Sequence, residues 1–305
     1  MTCVAQGYRR SVATGVETGS VQAGELEFAY VRAGGDGPLA LCLHGFPDTP
    51  HTWRHLLPRL AERGYRAVAP FSRGYAPTGV PSDGVYQTGA LAADANALHD
   101  ALGGDGDAVI IGHDWGAVAA YGAAAHEPHR WARVVGLAVP PAGAVAAAFV
   151  SSVDQLQRSW YMFFFQHPLS NLIVPANDFA FVERLWSQWS PGFDASTDLP
   201  HVRQSLADPA NLQAALGYYR AALGNGPIDA RFEQAQAATS HVPPQPTLYL
   251  HGRDDGAIGV EVAEAAAVMT ADDEHVTIEV LDGCGHFLHL ERPDAVNERV
   301  LAFLS

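Results

Sequence analysis

The chain reads as an α/β protein: a mostly parallel sheet with helices on both faces, interrupted once by a long helical insertion. Three observations predict this. Short apolar runs alternate with segments of helical character, the pattern of a sheet wound through helices. The run Pro38-Leu39-Ala40-Leu41-Cys42-Leu43 is apolar almost throughout, as a strand buried on both faces must be. From Val139 to about Thr239 no strand is obvious, and the alternation resumes only past Val242-Pro243-Pro244-Gln245-Pro246.

The elements follow in order. Val16 to Val31 alternates around Ala23-Gly24-Glu25, which predicts a hairpin of two strands. The strand at 38–43 ends at His44-Gly45. Trp53 to Arg63 predicts a helix stopped by Gly64. Arg66 to Ala69 is a strand, and Thr88 to Leu102 a helix closed by Gly103-Gly104. Ala108 to Ile111 is a strand, Trp115 to Ala125 a helix, and Val134 to Ala138 the sixth strand. The insertion after it is too long for a loop and rich in aromatics, so it predicts a helical cap over the carboxyl edge of the sheet. Thr247 to Leu250 and His275 to Leu281 are further strands. Val260 to Met269 and Pro293 to Leu304 are helices. The expected division is a core of residues 1–138 and 240–305 and a cap of residues 139–239.

Composition bounds the function. A 305-residue chain with 48% hydrophobic and 17% charged residues can bury a large core. Its 18 basic and 33 acidic residues leave a net charge of −15, which argues against nucleic acid or an anionic membrane as partner. Met1 to Arg10 has no apolar leader core, and no apolar run is long enough to span a bilayer. Cys3, Cys42 and Cys284 are too few and scattered for a disulfide framework. Cytoplasm is the default reading. The oligomeric state stays open, a homodimer included. His44, His51, His55, His99, His126, His129 and His201 show no zinc-ligand spacing, and no cofactor is implied.

The chemistry is concentrated in Gly112-His113-Asp114-Trp115-Gly116, between an apolar strand and an Ala-rich helix. A nucleophile flanked by small residues on a strand–turn–helix is a nucleophile elbow. Asp114 stands where most such elbows carry Ser. A carboxylate oxygen suits displacement at saturated carbon better than acyl transfer from an ester. The bland reading is that Asp114 caps the helix. The layout resembles the α/β-hydrolase fold, whose triad runs nucleophile, acid, histidine. Gly252-Arg253-Asp254-Asp255-Gly256 and Gly283-Cys284-Gly285-His286-Phe287 fill the other two slots, each just past a strand. His286, in its Gly-flanked turn, is favoured over His289. An oxyanion hole needs two backbone N–H groups aimed at one point. Trp115 and Phe46, from His44-Gly45-Phe46-Pro47, are the candidates.

Together with Arg73-Gly74-Tyr75, these motifs resemble the soluble epoxide hydrolases of the α/β-hydrolase fold, over nearly the whole chain from Val16 to Leu304. The resemblance favours Asp255, three residues after Gly252, over Asp254 as the triad acid. It implies two cap tyrosines that hold and protonate an epoxide oxygen: Tyr161, in Tyr161-Met162-Phe163-Phe164-Phe165-Gln166, and Tyr219, in Tyr218-Tyr219-Arg220. It also implies a covalent ester on Asp114, hydrolysed by water that His286 activates, and a vicinal diol product. Tyr218 is read as a packing neighbour. Phe46, Trp115, Phe165 and Trp186 are the expected substrate walls, and an aromatic cap suggests a bulky apolar or aromatic epoxide. One departure is Pro70-Phe71-Ser72, where the family often carries an Asp before the Arg-Gly motif.

The competing reading is a haloalkane or haloacid dehalogenase, which would use the same triad. Its halide would need N–H donors, for which Trp115, Trp160 and Trp186 are candidates. Phe46 stands against it, since many haloalkane dehalogenases carry Asn there. A non-catalytic ligand-binding protein on this fold would have no use for an intact triad.

Overall fold

The structure is a computed structural model that describes residues 9–10, 16–141 and 143–305. Cys3 and Met1 to Tyr8 lie outside the described residues. The strands are β1 (Arg9–Arg10), β2 (Glu17–Ala23), β3 (Leu26–Ala33), β4 (Leu39–Leu43), β5 (Arg66–Pro70), β6 (Val109–His113), β7 (Arg133–Leu137), β8 (Thr247–Gly252) and β9 (Val276–Leu281). They form one sheet in the order β1-β2-β3-β5-β4-β6-β7-β8-β9. The pairs from β1 to β5 through β3 are antiparallel, and those from β5 through β4 to β9 are parallel. The predicted strands are all present. The short Arg9–Arg10 strand adds an edge, so the insertion follows the seventh strand rather than the sixth.

Side-chain alternation along the central strands makes two cores. Leu39, Leu41 and Leu43 of β4 and Ile110 of β6 pack on one face. Ala40 and Cys42 of β4, with Val109 and Ile111 of β6, pack on the other. Both faces are buried, which explains the unbroken apolar runs. The helix expected over Trp53 to Arg63 divides into a tight turn at Pro50–His55 and a helix at Leu57–Glu62. Pro58 cannot donate to the preceding turn, so it opens a new helix.

Between β7 and β8 the described residues are helical or looped, with no strand. The last helix of this stretch, Glu233–Ala238, does not sit over the site. It lies on helices Thr88–Ala101 and Trp115–His126, so close that a Cβ on Gly89 would fall 2.5 Å from the Gln236 amide nitrogen. The expected cap span of 139–239 therefore runs too far at its C-terminal end. A lack of strands marks an insertion, but not the layer on which each helix packs. No helix among the described residues is long and apolar enough to cross a membrane.

The winding direction reverses between β4 and β6, which places a crevice at their carboxyl ends. His44-Gly45-Phe46 leaves β4 there, and Asp114 leaves β6. Leu41 is fully buried in the middle of β4. Leu41→Ala is expected to cost about 3 kcal/mol, read from the urea midpoint at unchanged slope.

Candidate active site

The elbow is strained and tightly enclosed. Asp114 has φ 53° and ψ −120°, a conformation that an L residue adopts only when its surroundings enforce it. Those surroundings are close-packed. A Cβ on Gly116 would fall 2.1 Å from the Leu43 carbonyl oxygen, and one on Gly45 would meet the Asp114 side chain at 2.3 Å. Glycine at these two positions lets the strand, the elbow helix and the loop after β4 converge. The cap reading of Asp114 fails: its side chain makes no capping bond to its helix. Instead Oδ1 accepts from the Phe46 amide at 2.8 Å. Trp115 opens the helix, where an N–H has no acceptor within the helix.

His286 Nε2 stands 3.7 Å from Asp114 Oδ2, and Nδ1 stands 2.9 Å from Asp255 Oδ2. Asp255 Oδ1 accepts from the Ala257 and Ile258 amides at 2.7 and 2.9 Å. Asp254 is exposed, so Asp255 is the carboxylate that faces the histidine. Burial acts to lower the His286 pKa, but the charges of Asp255 and Asp114 outweigh it and hold it up at about 10. The imidazolium and its proximity hold Asp255 below the usual range against the opposing effect of burial. His289 is engaged elsewhere, with Nε2 on Thr52 Oγ1 at 2.5 Å.

Both predicted tyrosines come together, within reach of the Asp114 charge. Tyr161 lies on helix Trp160–Phe164 and Tyr219 on helix Pro209–Ala222, with ring centres 5.6 Å apart. Burial, reinforced by the Asp114 charge, raises both phenol pKa values well above normal, so both keep their protons. Phe46 and Trp115 each pack edge-on to Tyr219 at 5.1 Å, and Phe165 touches both tyrosines. Tyr218 is indeed a packing residue: it stacks on Tyr86 and donates to the Arg73 carbonyl at 2.8 Å.

Two tryptophans differ from expectation. Trp186, expected as a substrate wall, is a wedge between cap and core: its indole stacks on Phe287 at 3.6 Å and its N–H donates to the Pro47 carbonyl at 2.9 Å. Trp160 is 43% exposed and packs on Phe164 and Phe181.

The α/β-hydrolase fold family matches residues 38–293. Epoxide hydrolase 4 of Mus musculus is 31% identical over 92% of this chain and 76% of its own length. The chain belongs to the epoxide hydrolases of the α/β-hydrolase fold. Epoxide hydrolase A of Mycobacterium tuberculosis is 29% identical over 92% of this chain and 94% of its own. The crystal structure of epoxide hydrolase A from Mycobacterium thermoresistibile superposes with a TM-score of 0.75 at 26% identity, covering 98% of each chain.

One residue of this epoxide hydrolase escaped sequence reasoning. Trp189 ends the helix Ala176–Trp189 with its ring 5.0 Å from His286 and 4.9 Å from Tyr161. Its carbonyl accepts from both the Gly256 and His286 amides, at 3.1 and 3.0 Å. The Oγ of the next residue, Ser190, accepts from the Phe287 amide at 3.0 Å. No sequence pattern signals a role carried by a backbone carbonyl. The missing Asp before Arg73 is covered differently: the Ser72 amide donates to His44 Nε2 at 3.0 Å.

Behind His286, Asp48, His113 and His289 bring donor atoms within 4.8 Å of one another. Burial, helped by the Asp198 charge, pushes Asp48 up to about 8, and burial lowers His113 to about 3. His113 Nε2 is spent on the His286 carbonyl at 3.0 Å.

Asp114→Asn removes one of the two charges that raise His286. The His286 pKa is expected to fall below 10, followed by NMR of the labelled imidazole. An unchanged value would mean that Asp255 alone sets it.

Proposed function

We propose that this protein opens epoxides to vicinal diols through a covalent ester on Asp114, hydrolysed by water that His286 activates. The observation that carries the reading is the placement of two protonated phenols across from a carboxylate nucleophile. Asp114 Oδ2 attacks a ring carbon while Oδ1 stays on the Phe46 amide. The C–O bond breaks toward the ring oxygen, which takes a proton from Tyr161 or Tyr219. Esterification removes the Asp114 charge. His286, which then loses one of the two carboxylates that hold its proton, passes that proton to the tyrosinate left by ring opening, and as a neutral imidazole draws a proton from water. The hydroxide adds to the Asp114 carbonyl carbon. The Phe46 and Trp115 amides hold the resulting oxyanion, a role in which one donor is worth about 3 kcal/mol. Collapse expels the diol oxygen, which His286 protonates, and the Asp114 carboxylic acid then returns its proton to His286, restoring the carboxylate and the imidazolium. Asp255 orients the imidazole throughout.

The aromatic walls of Phe46, Trp115, Phe165, Trp189, Tyr161 and Tyr219 favour a bulky apolar or aromatic epoxide. The same reading treats residues 139–239 as a cap on a core of 1–138 and 240–305, less the helix Glu233–Ala238. The dehalogenase alternative loses support at its donors. The Trp186 N–H is already bound and Trp160 faces outward, which leaves Trp115 alone.

The deciding experiment is a single turnover of stilbene oxide in oxygen-18 water. The diol should emerge unlabelled and the label should enter the Asp114 carboxylate; label in the first diol would sink the ester mechanism. Asp114→Ala should abolish turnover, and His286→Gln should let the ester accumulate, seen as a mass increase on the Asp114 peptide. Tyr161→Phe with Tyr219→Phe should stop ring opening. Retained turnover of a bromoalkane but not of stilbene oxide by the wild type would favour the dehalogenase reading.

A further inference from the structure

We infer that Gln166 and Arg220 form a reciprocal brace that sets the spacing of the two cap phenols. This rests on the reading of Tyr161 and Tyr219 as the acid pair. The two tyrosines sit on separate helices with no sheet bonds between them, so side chains must hold their relation. Gln166 Nε2 donates to the carbonyl of Tyr219 itself at 3.0 Å and to that of Met162 at 2.8 Å. It thus ties the backbone of one tyrosine to the residue that follows the other. Arg220 makes the return bond: its Nε donates to the Phe165 carbonyl at 2.9 Å. Each tyrosine-bearing segment therefore sends one donor to a carbonyl of the other.

Both braces are themselves held. Asn225 Nδ2 donates to Gln166 Oε1 at 2.9 Å, which fixes the amide with its nitrogen toward Tyr219. Arg220 Nη2 donates to Asn171 Oδ1 at 2.8 Å and Ser170 Oγ at 3.2 Å. These acceptors are neutral, so Arg220 acts as a planar fork reaching three acceptors rather than as half of an ion pair. A lysine cannot reproduce that fork. Between the braces lies Phe165, 5.1 Å from the Tyr219 ring and 5.7 Å from the Tyr161 ring. Two phenols that serve one developing oxyanion must converge closely, and a misplacement of about 1 Å can cost a hundredfold in rate.

Gln166 and Arg220 are positioning residues, and their effect is confined to one step. The phenols assist ring opening, whereas ester hydrolysis uses His286 and the amides. The test is single-turnover kinetics of Gln166→Glu and Arg220→Lys on stilbene oxide, with ester formation and ester hydrolysis timed separately by rapid quench. Gln166→Glu keeps the shape and the Asn225 bond but loses the donor to Tyr219. Ester formation should fall about tenfold or more in each variant. Hydrolysis should stay within about twofold of wild type. Unchanged ester formation, or an equal fall in both steps, would overturn the brace. If Arg220→Lys fails to fold, Gln166→Glu alone decides by the same criterion; if that variant also fails to fold, the residues are structural and the inference is overturned. Absence of an Asp114 ester in the wild type would instead sink the epoxide reading itself.

Discussion

Two buried carboxylates share one imidazolium, and the rest of the site is arranged around that fact. Asp255 and His286 are 2% and 0% exposed, and Asp114 is 8% exposed. Removing such groups from water costs several kcal/mol per ion unless each lone pair and proton finds a partner. The partners are backbone amides: Ala257 and Ile258 on Asp255, and Phe46 on Asp114. These donors come from loops that leave different strands. The charge set therefore needs the whole carboxyl edge of the sheet, and the sheet order that brings β4 and β6 side by side becomes a condition of the chemistry.

The elbow shows how local strain serves the same end. Asp114 holds an unfavourable backbone conformation at a point where glycine at 45 and 116 lets the loop after β4 and the elbow helix close in on it. The strain projects the carboxylate away from its own helix. That is why a residue type which usually caps a helix N-terminus here leaves that role and takes an amide from a different loop.

Much of this was legible in the chain. Apolar runs buried on both faces identified the parallel strands, and the glycines around Asp114 and His286 identified the turns that bring these two side chains together, because both features are demanded by local geometry. The cap tyrosines were legible only through resemblance, since an aromatic in a helix is ordinarily core. Trp186 misled for that reason: indole chemistry suits a substrate wall and a wedge equally well, and only the Pro47 carbonyl and the Phe287 ring decide between them. Trp189 was invisible because its carbonyl is a group every residue owns. The Glu233–Ala238 helix was misassigned because composition reports helicity but not what a helix packs against.

The end of the helix Ala176–Trp189 has a consequence for modularity. Trp189 and Ser190 supply acceptors to Gly256, His286 and Phe287, so the insertion completes the hydrogen bonding of the loops that carry Asp255 and His286. Deleting it would strip three loop amides of the acceptors that fix them. The insertion and the core are thus not interchangeable parts. A chimera that borrowed its lid from a relative would have to import a carbonyl and a hydroxyl at those two positions, or inherit a histidine loop with nothing to hang from.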